Sequence, residues 1–152
     1  MKRFTALLCT LAFVGLGVGA WAGPVEEVAQ IAGPRIKALQ DGDIDAYTAA
    51  YADNAVLNSS FSPFRIEGKD AIRAYVADLV QLYPKRRVFP RQPAMRAYND
   101  DLVISNGYAV LEFTDQKGQV LTYYTRSSVA WAKVGGRWQI VEQHTSRIPV
   151  AP

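Results

Sequence analysis

Apolar residues recur at helical spacing through the first half of the chain and alternate along the second, so the pattern divides into helices followed by strands. From Pro24 to Gln40, Val25, Val28, Ala29, Ala32, Ile36 and Leu39 keep helical spacing, and Gly33-Pro34 inside the run predicts a kink or a split. Gly42 is a stop signal. Asp43 then caps a second helix on which Ile44, Tyr47 and Tyr51 share one face, one turn apart. Ala55 to Phe61 reads as a short strand that leads into a loop through Ser62-Pro63. Asp70 to Tyr83 is the clearest helix, with Ile72, Tyr75, Val76, Leu79, Val80 and Tyr83 in one stripe. Pro84 ends it, and residues 84–93 read as a basic connector punctuated by prolines.

The strands follow. Ala94–Tyr98 and Leu102–Thr114 flank the turn Asn99-Asp100-Asp101, and Gln119 to Val134 forms a long strand with a bulge or twist. Its later part, Tyr123–Val134, pairs with Trp138–Arg147 around Gly135-Gly136, where two glycines supply the positive φ of a two-residue hairpin turn. Alternation puts Trp138, Ile140, Glu142, His144 and Ser146 on one face, and Gln139, Val141, Gln143 and Thr145 on the other. Trp138 and Ile140 mark the first face as buried, so Glu142 and the chain's single histidine are expected to line a pocket. Helices first and an antiparallel meander after predict an α+β fold with helices packed on one sheet face.

The N-terminus changes this picture. Lys2-Arg3 precede an uncharged apolar stretch, Phe4 to Ala20, and Ala20-Trp21-Ala22 fits a signal-peptidase site. The expectation is a signal peptide over residues 1–22, a single domain over 23–152, and a periplasmic or secreted product. Loss of the two basic residues lowers the formal charge from +3 to +1, which argues against a general polyanion partner. The one cysteine, Cys9, falls within the leader, so packing alone must hold the domain, without disulfides.

Several segments carry a resemblance. Asp41-Gly42-Asp43 with Tyr47, Tyr51-Ala-Asp-Asn-Ala-Val56, and Ile66-Glu67-Gly68-Lys69-Asp70-Ala71-Ile72 look like nuclear-transport-factor-2-like (NTF2-like, SnoaL-like) domains. The ending, Gly136-Arg137-Trp138-Gln139-Ile140-Val141 through His144-Thr145-Ser146, is similar too. The nearest branch is the association (hub) domain of calcium/calmodulin-dependent protein kinases, matched without gaps from Asp101 to Ser146. This resemblance implies a cone: a strongly bent sheet around helices, with a deep pocket and assembly as a homodimer or larger. It does not fix function, because relatives include isomerases, dehydratases, hydrolases and proteins with no chemistry. The hub domain's pocket arginines fall at Ala109 and Val129 here, and the first histidine of its final His-x-His is Glu142, so its ligand class is not carried over.

The candidate site is built on Glu142 and His144, whose side chains start about 7 Å apart on one strand face. They read either as an acid/base or ligand-anchoring pair, or as a polar pair closing the mouth of a core. Tyr47 occupies the position of the hub domain's pocket tyrosine, while Tyr51 reads as core packing or as a second contact. Parity with Val129 and Trp131 places Tyr123, Thr125 and Ser127 on the pocket side. It sends Tyr124, Arg126 and Ser128 outward, to the face that commonly assembles in this family, and a bulge would change the side of Arg126. Asn58 is a weaker candidate, within an Asn58-Ser59-Ser60 sequon. Lys85-Arg86-Arg87 with Arg91 read as a solvated run and not as a nucleic-acid site. One histidine and no thiol beyond the leader disfavour a metal, and no cofactor motif is present. Three readings remain open: binding of a small organic ligand, an isomerase, dehydratase or hydrolase using the same pocket, or an assembly module.

Overall fold

The computed structural model describes residues 23–149, and the signal peptide expected over 1–22 lies outside them. Helix α1 (Pro24–Asp41) runs unbroken through Pro34. It ends where Gly42 takes φ 81°, while the Asp43 N–H donates to the Ala38 carbonyl at 2.9 Å. The absent Cβ at Gly42 matters twice, because a methyl there would also lie 2.8 Å from Arg86 Nη2. Asp43 caps α2 (Ile44–Thr48) by accepting the Ala46 N–H at 2.9 Å. That helix is one turn long, so Tyr51 does not follow Tyr47 along it but begins strand β1 (Tyr51–Asn58). The two rings still meet edge to face, with centroids 6.1 Å apart.

A two-residue strand β2 (Ile66–Glu67) and helix α3 (Lys69–Leu82) come next. Residues 84–93 are the main departure from the sequence reading. All but Pro84 belong to strand β3 (Lys85–Asn99), not to a connector. Its prolines are tolerated because β3 is the edge of the sheet, where a missing N–H costs no inner ladder bond. At Gln92-Pro93 two residues oppose Gly107 alone, and Gln92 takes φ 46° in this bulge. Strands β4 (Leu102–Thr114), β5 (Val120–Val134) and β6 (Arg137–Arg147) complete a meander, with Gly135 and Gly136 at φ 58° and 76° in the last turn.

The mixed sheet is six-stranded and open, in the order β2-β1-β6-β5-β4-β3, and only β1 and β6 run parallel. The first and last strands are therefore neighbours within it. The helices cover one face, which is the inner one. Val28 and Ala38 of α1 and Ile72 and Val76 of α3 pack there with Tyr51, Leu57, Val103, Trp131, Trp138 and Ile140. The class is α+β, as the element order implied.

Arg86 joins the two long helices. It is buried, and it donates to the Leu39 carbonyl at 2.7 Å, to Gln40 and Val80 at 3.3 Å, and to Tyr83. These are C-terminal carbonyls of α1 and α3, where a cation is favoured by the helix dipoles. Burial lowers the Arg86 pKa. Part of the basic run that read as solvated is thus structural.

Candidate functional site

Between the helices and the inner face of the sheet lies a cavity of about 230 Å³. Ile36 and Leu39 of α1, Val76 and Leu79 of α3, and Val88 and Met95 of β3 make it largely apolar. Its polar side is formed by Arg35, Tyr47, Thr125, Ser127, Gln143 and Thr145.

Glu142 and His144 are not among the lining residues, and this overturns the expected site. In the β5–β6 ladder Trp131 pairs with Ile140, but the next residue, Ala130, pairs with Glu142. Val141 is an extra residue on β6, and one extra residue reverses the facing of everything after it. Trp138 and Ile140 point into the core as expected. Beyond the bulge Gln143 and Thr145 point inward, while Glu142 and His144 are exposed. Two physical gains accompany the switch: Val141 packs its side chain against the core, and the Glu142 carboxylate escapes a desolvation cost of several kcal/mol. His144 borders a polar groove with Gln92, Arg126, Ser128 and Ser146, which adjoins the cavity along Asn106, Gly107, Tyr108 and Ser127. Its cross-strand neighbour there is Ser128.

The other candidates divide. Tyr47 and Ser127 line the cavity, and β5 keeps the expected parity, with Thr125 inward and Arg126 outward. Tyr51 does not line it, but its hydroxyl holds a residue that does. Tyr123 sits behind the wall, edge to face with Phe61 at 4.9 Å, where the Arg147 guanidinium also rests at 4.6 Å from Phe61 and 4.4 Å from Tyr123. Asn58 is turned away, because its neighbour Leu57 takes the inward position on β1, and it pairs with His144. Ala109 and Val129 both line the cavity, so the two positions that carry arginine in the hub domain are apolar wall here.

The cavity's cation comes from elsewhere. Arg35 is only 8% exposed and reaches in from α1. Its Nη2 donates to Tyr51 Oη at 2.7 Å and to Gln143 Oε1 at 2.8 Å, and the Tyr51 hydroxyl donates to the same Gln143 oxygen at 2.7 Å. The guanidinium lies over the Tyr47 ring at 4.0 Å and the Tyr51 ring at 4.9 Å. Among the described residues no carboxylate forms an ion pair with it, and its Nε–H is buried without an acceptor. Burial is the largest single influence on Arg35 and works against its charge; Tyr47 and Tyr51 leave the pKa raised, but a tyrosine carries charge only at alkaline pH, so at neutral pH the burial is not offset by a counter-charge. Burial likewise raises the Tyr51 pKa well above the ordinary tyrosine value, against the pull of Arg35. The site therefore holds a fixed cation beside a neutral phenol.

Arg35 was missed in the sequence, although a signal exists. Val28, Ala32, Arg35 and Leu39 are spaced by four, three and four residues, which puts a charge in the middle of the apolar stripe of α1. Gln143 left no such signal, because its facing depends on the bulge.

Comparison with known proteins places this geometry. The family model of the calcium/calmodulin dependent protein kinase II association domain matches residues 25–149. A Xanthomonas campestris protein described as a candidate association domain of this kind has 23% identity and a TM-score of 0.74, over 83% of this chain and 89% of its own. An NTF2-like superfamily protein from Salmonella enterica has 15% identity and a TM-score of 0.75, over 85% and 94%. A candidate dehydratase of the NTF2-like family from Streptomyces avermitilis has 12% identity and a TM-score of 0.74, over 84% and 98%. At these identities the structures share the fold, and nothing finer is transferred.

Proposed function

Since the chain belongs to the calcium/calmodulin dependent protein kinase II association domain family, we propose that it is a self-associating NTF2-like module whose cavity binds a small, largely apolar organic anion, with the carboxylate seated against Arg35. The observation that carries this reading is the buried guanidinium without a counter-charge. An unpaired buried cation costs several kcal/mol, and cation–π contact with Tyr47 and Tyr51 offsets only about 2 kcal/mol of it. An anionic ligand supplies the rest. The volume lies below the roughly 300–1,000 Å³ of drug-sized pockets, which suits a single ring or a short chain.

The same cavity gives little support to acid–base catalysis. None of its lining residues is an aspartate, glutamate or histidine, and Tyr51 is held neutral. The isomerase, dehydratase or hydrolase reading built on Glu142 and His144 loses its premise with their outward placement. Titration calorimetry with benzoate tests the binding reading: the parent protein should bind it and Arg35→Met should not. Equal binding by both would refute the role of Arg35.

Self-association is supported by the family's association-domain character, and the outer face with Tyr108, Tyr124 and Arg126 is the surface we assign to it. Tyr124→Glu with Arg126→Glu should lower the mass measured by light scattering, and an unchanged mass would exclude that face. Export is supported by Lys2-Arg3, the uncharged stretch after them and Ala20-Trp21-Ala22. N-terminal sequencing of protein recovered from cells should begin at Gly23 if cleavage follows Ala22.

A further inference from the structure

Strand register puts four polar side chains at the corners of a square on β5 and β6. Arg126 pairs with Ser146 and Ser128 with His144, and alternation turns all four away from the side of Thr125 and Val129. None of the four lines the inner cavity. They border the polar groove, which measures about 320 Å³ and also takes in Asn106 and Tyr108 of β4. Cross-strand Cβ atoms stand about 5 Å apart and same-face neighbours along one strand about 7 Å, so the polar ends of all four can meet on one small group. Arg126 Nε donates to Ser146 Oγ at 3.1 Å, a bond that leaves both terminal nitrogens of the guanidinium free. Among the described residues no carboxylate forms an ion pair with Arg126, nor with Arg91, which stands opposite Tyr108. No aspartate or glutamate lines the groove. Glu142 is on the same face of β6 but one same-face rung further on, opposite Ala130.

We infer that this groove is a binding site for a tetrahedral oxyanion, phosphate or sulfate, as the free ion or as a monoester. Apart from Gly107, every residue that borders it carries a side chain able to donate a hydrogen bond. Donors grouped around an unpaired guanidinium, with no acid among them, suit a ligand that only accepts. The free nitrogens of Arg126 supply charge-assisted hydrogen bonds, and the hydroxyls of Ser128 and Ser146 add neutral ones. Donors that converge from four corners match oxygens spread around a tetrahedral centre better than a planar carboxylate. The groove holds several times the ~30 Å³ that one water occupies in the liquid, so it has room for the organic part of an ester. The inference is independent of the cavity reading, since it uses none of Arg35, Tyr51 or Gln143.

The test is titration calorimetry of the full chain, in a chloride buffer, with inorganic phosphate, sulfate and phenyl phosphate. The parent protein should bind these oxyanions, and Arg126→Met should lower the affinity at least about tenfold, as loss of hydrogen bonds from a charged donor does. Ser128→Ala with Ser146→Ala keeps the charge and should still weaken binding about tenfold. Arg35→Met should bind as the parent does. Tighter binding of phenyl phosphate than of phosphate assigns the groove to a monoester and equal binding assigns it to the free ion; both support the site. Because Arg126 also belongs to the face assigned above to self-association, light scattering accompanies each titration, and the serine pair should weaken binding at unchanged mass. The inference is overturned if the parent binds no oxyanion, or if the serine pair binds as tightly as the parent. A loss of affinity confined to variants whose mass also falls would assign the effect to assembly and overturn it too. So would loss of binding in Arg35→Met with binding kept in Arg126→Met, which would put the anion in the cavity.

Discussion

Gln143→Glu places a carboxylate where a neutral amide oxygen now lies 2.8 Å from Arg35 Nη2. The shape changes little and both incoming hydrogen bonds have an acceptor, so the substitution chiefly supplies the missing counter-charge. At 3–4 Å and an effective dielectric constant of 20, the added attraction is about 4–5 kcal/mol. Desolvating the new carboxylate cancels much of it, and roughly 1–2 kcal/mol of net stabilisation remains. For a domain of this size that raises the melting temperature by about 3–8 °C. The new carboxyl should have a folded-state pKa below its unfolded value of about 4.3. Its contribution is therefore present above pH ~4.3 and lost as pH falls through the lower folded value. Binding should move the opposite way, because the cation is already paired: benzoate affinity should fall by about two orders of magnitude, or ~2.7 kcal/mol. Thermal melts at neutral pH and below pH ~4, with calorimetry at neutral pH, read both effects. A variant that is less stable than the parent at neutral pH, or that binds benzoate undiminished, would refute the claim that Arg35 is an unpaired cation.

Other outcomes follow from the same geometry. His144→Ala and Glu142→Ala should each change unfolding free energy by no more than about 0.5 kcal/mol, as exposed positions do, and leave cavity binding intact; loss of ligand in either would restore the inward register. Arg86→Met should cost about 3 kcal/mol or more in urea unfolding, because it strips donors from the C-terminal carbonyls of α1 and α3. The raised Tyr51 pKa has an alkaline consequence. The stability it contributes is complete below the unfolded value of about 10 and declines as pH rises through the folded value. Urea midpoints measured across that range should fall in the parent and fall less in Tyr51→Phe.

Much of the molecule was legible in its residues because the relevant forces act locally. The α1 stop at Gly42 needs only a positive φ, the α2 cap needs only the Asp43 oxygen, and the last hairpin needs only two glycines. The stripe of Ile72 and Val76 on α3 and the alternation of β5 are periodicities of single elements, and they were read correctly. The order of motifs was sufficient to name the family. Strand β3 was obscured by its prolines, which local rules set against a strand and which only an edge position in a finished sheet permits.

The site depended on what no single segment contains. The facing of Gln143 and His144 turns on one unpaired residue, Val141, whose bulge exists only when β5 and β1 both hold β6. Arg35, Tyr51 and Gln143 come from a helix and two strands, and the helix residue is separated from Gln143 by more than a hundred positions. Alternation along a strand fixes which residues share a face, but pairing with neighbouring chains decides where that alternation breaks. The sequence determined the elements and the fold they build, and tertiary packing decided which side chain becomes the cavity's charge.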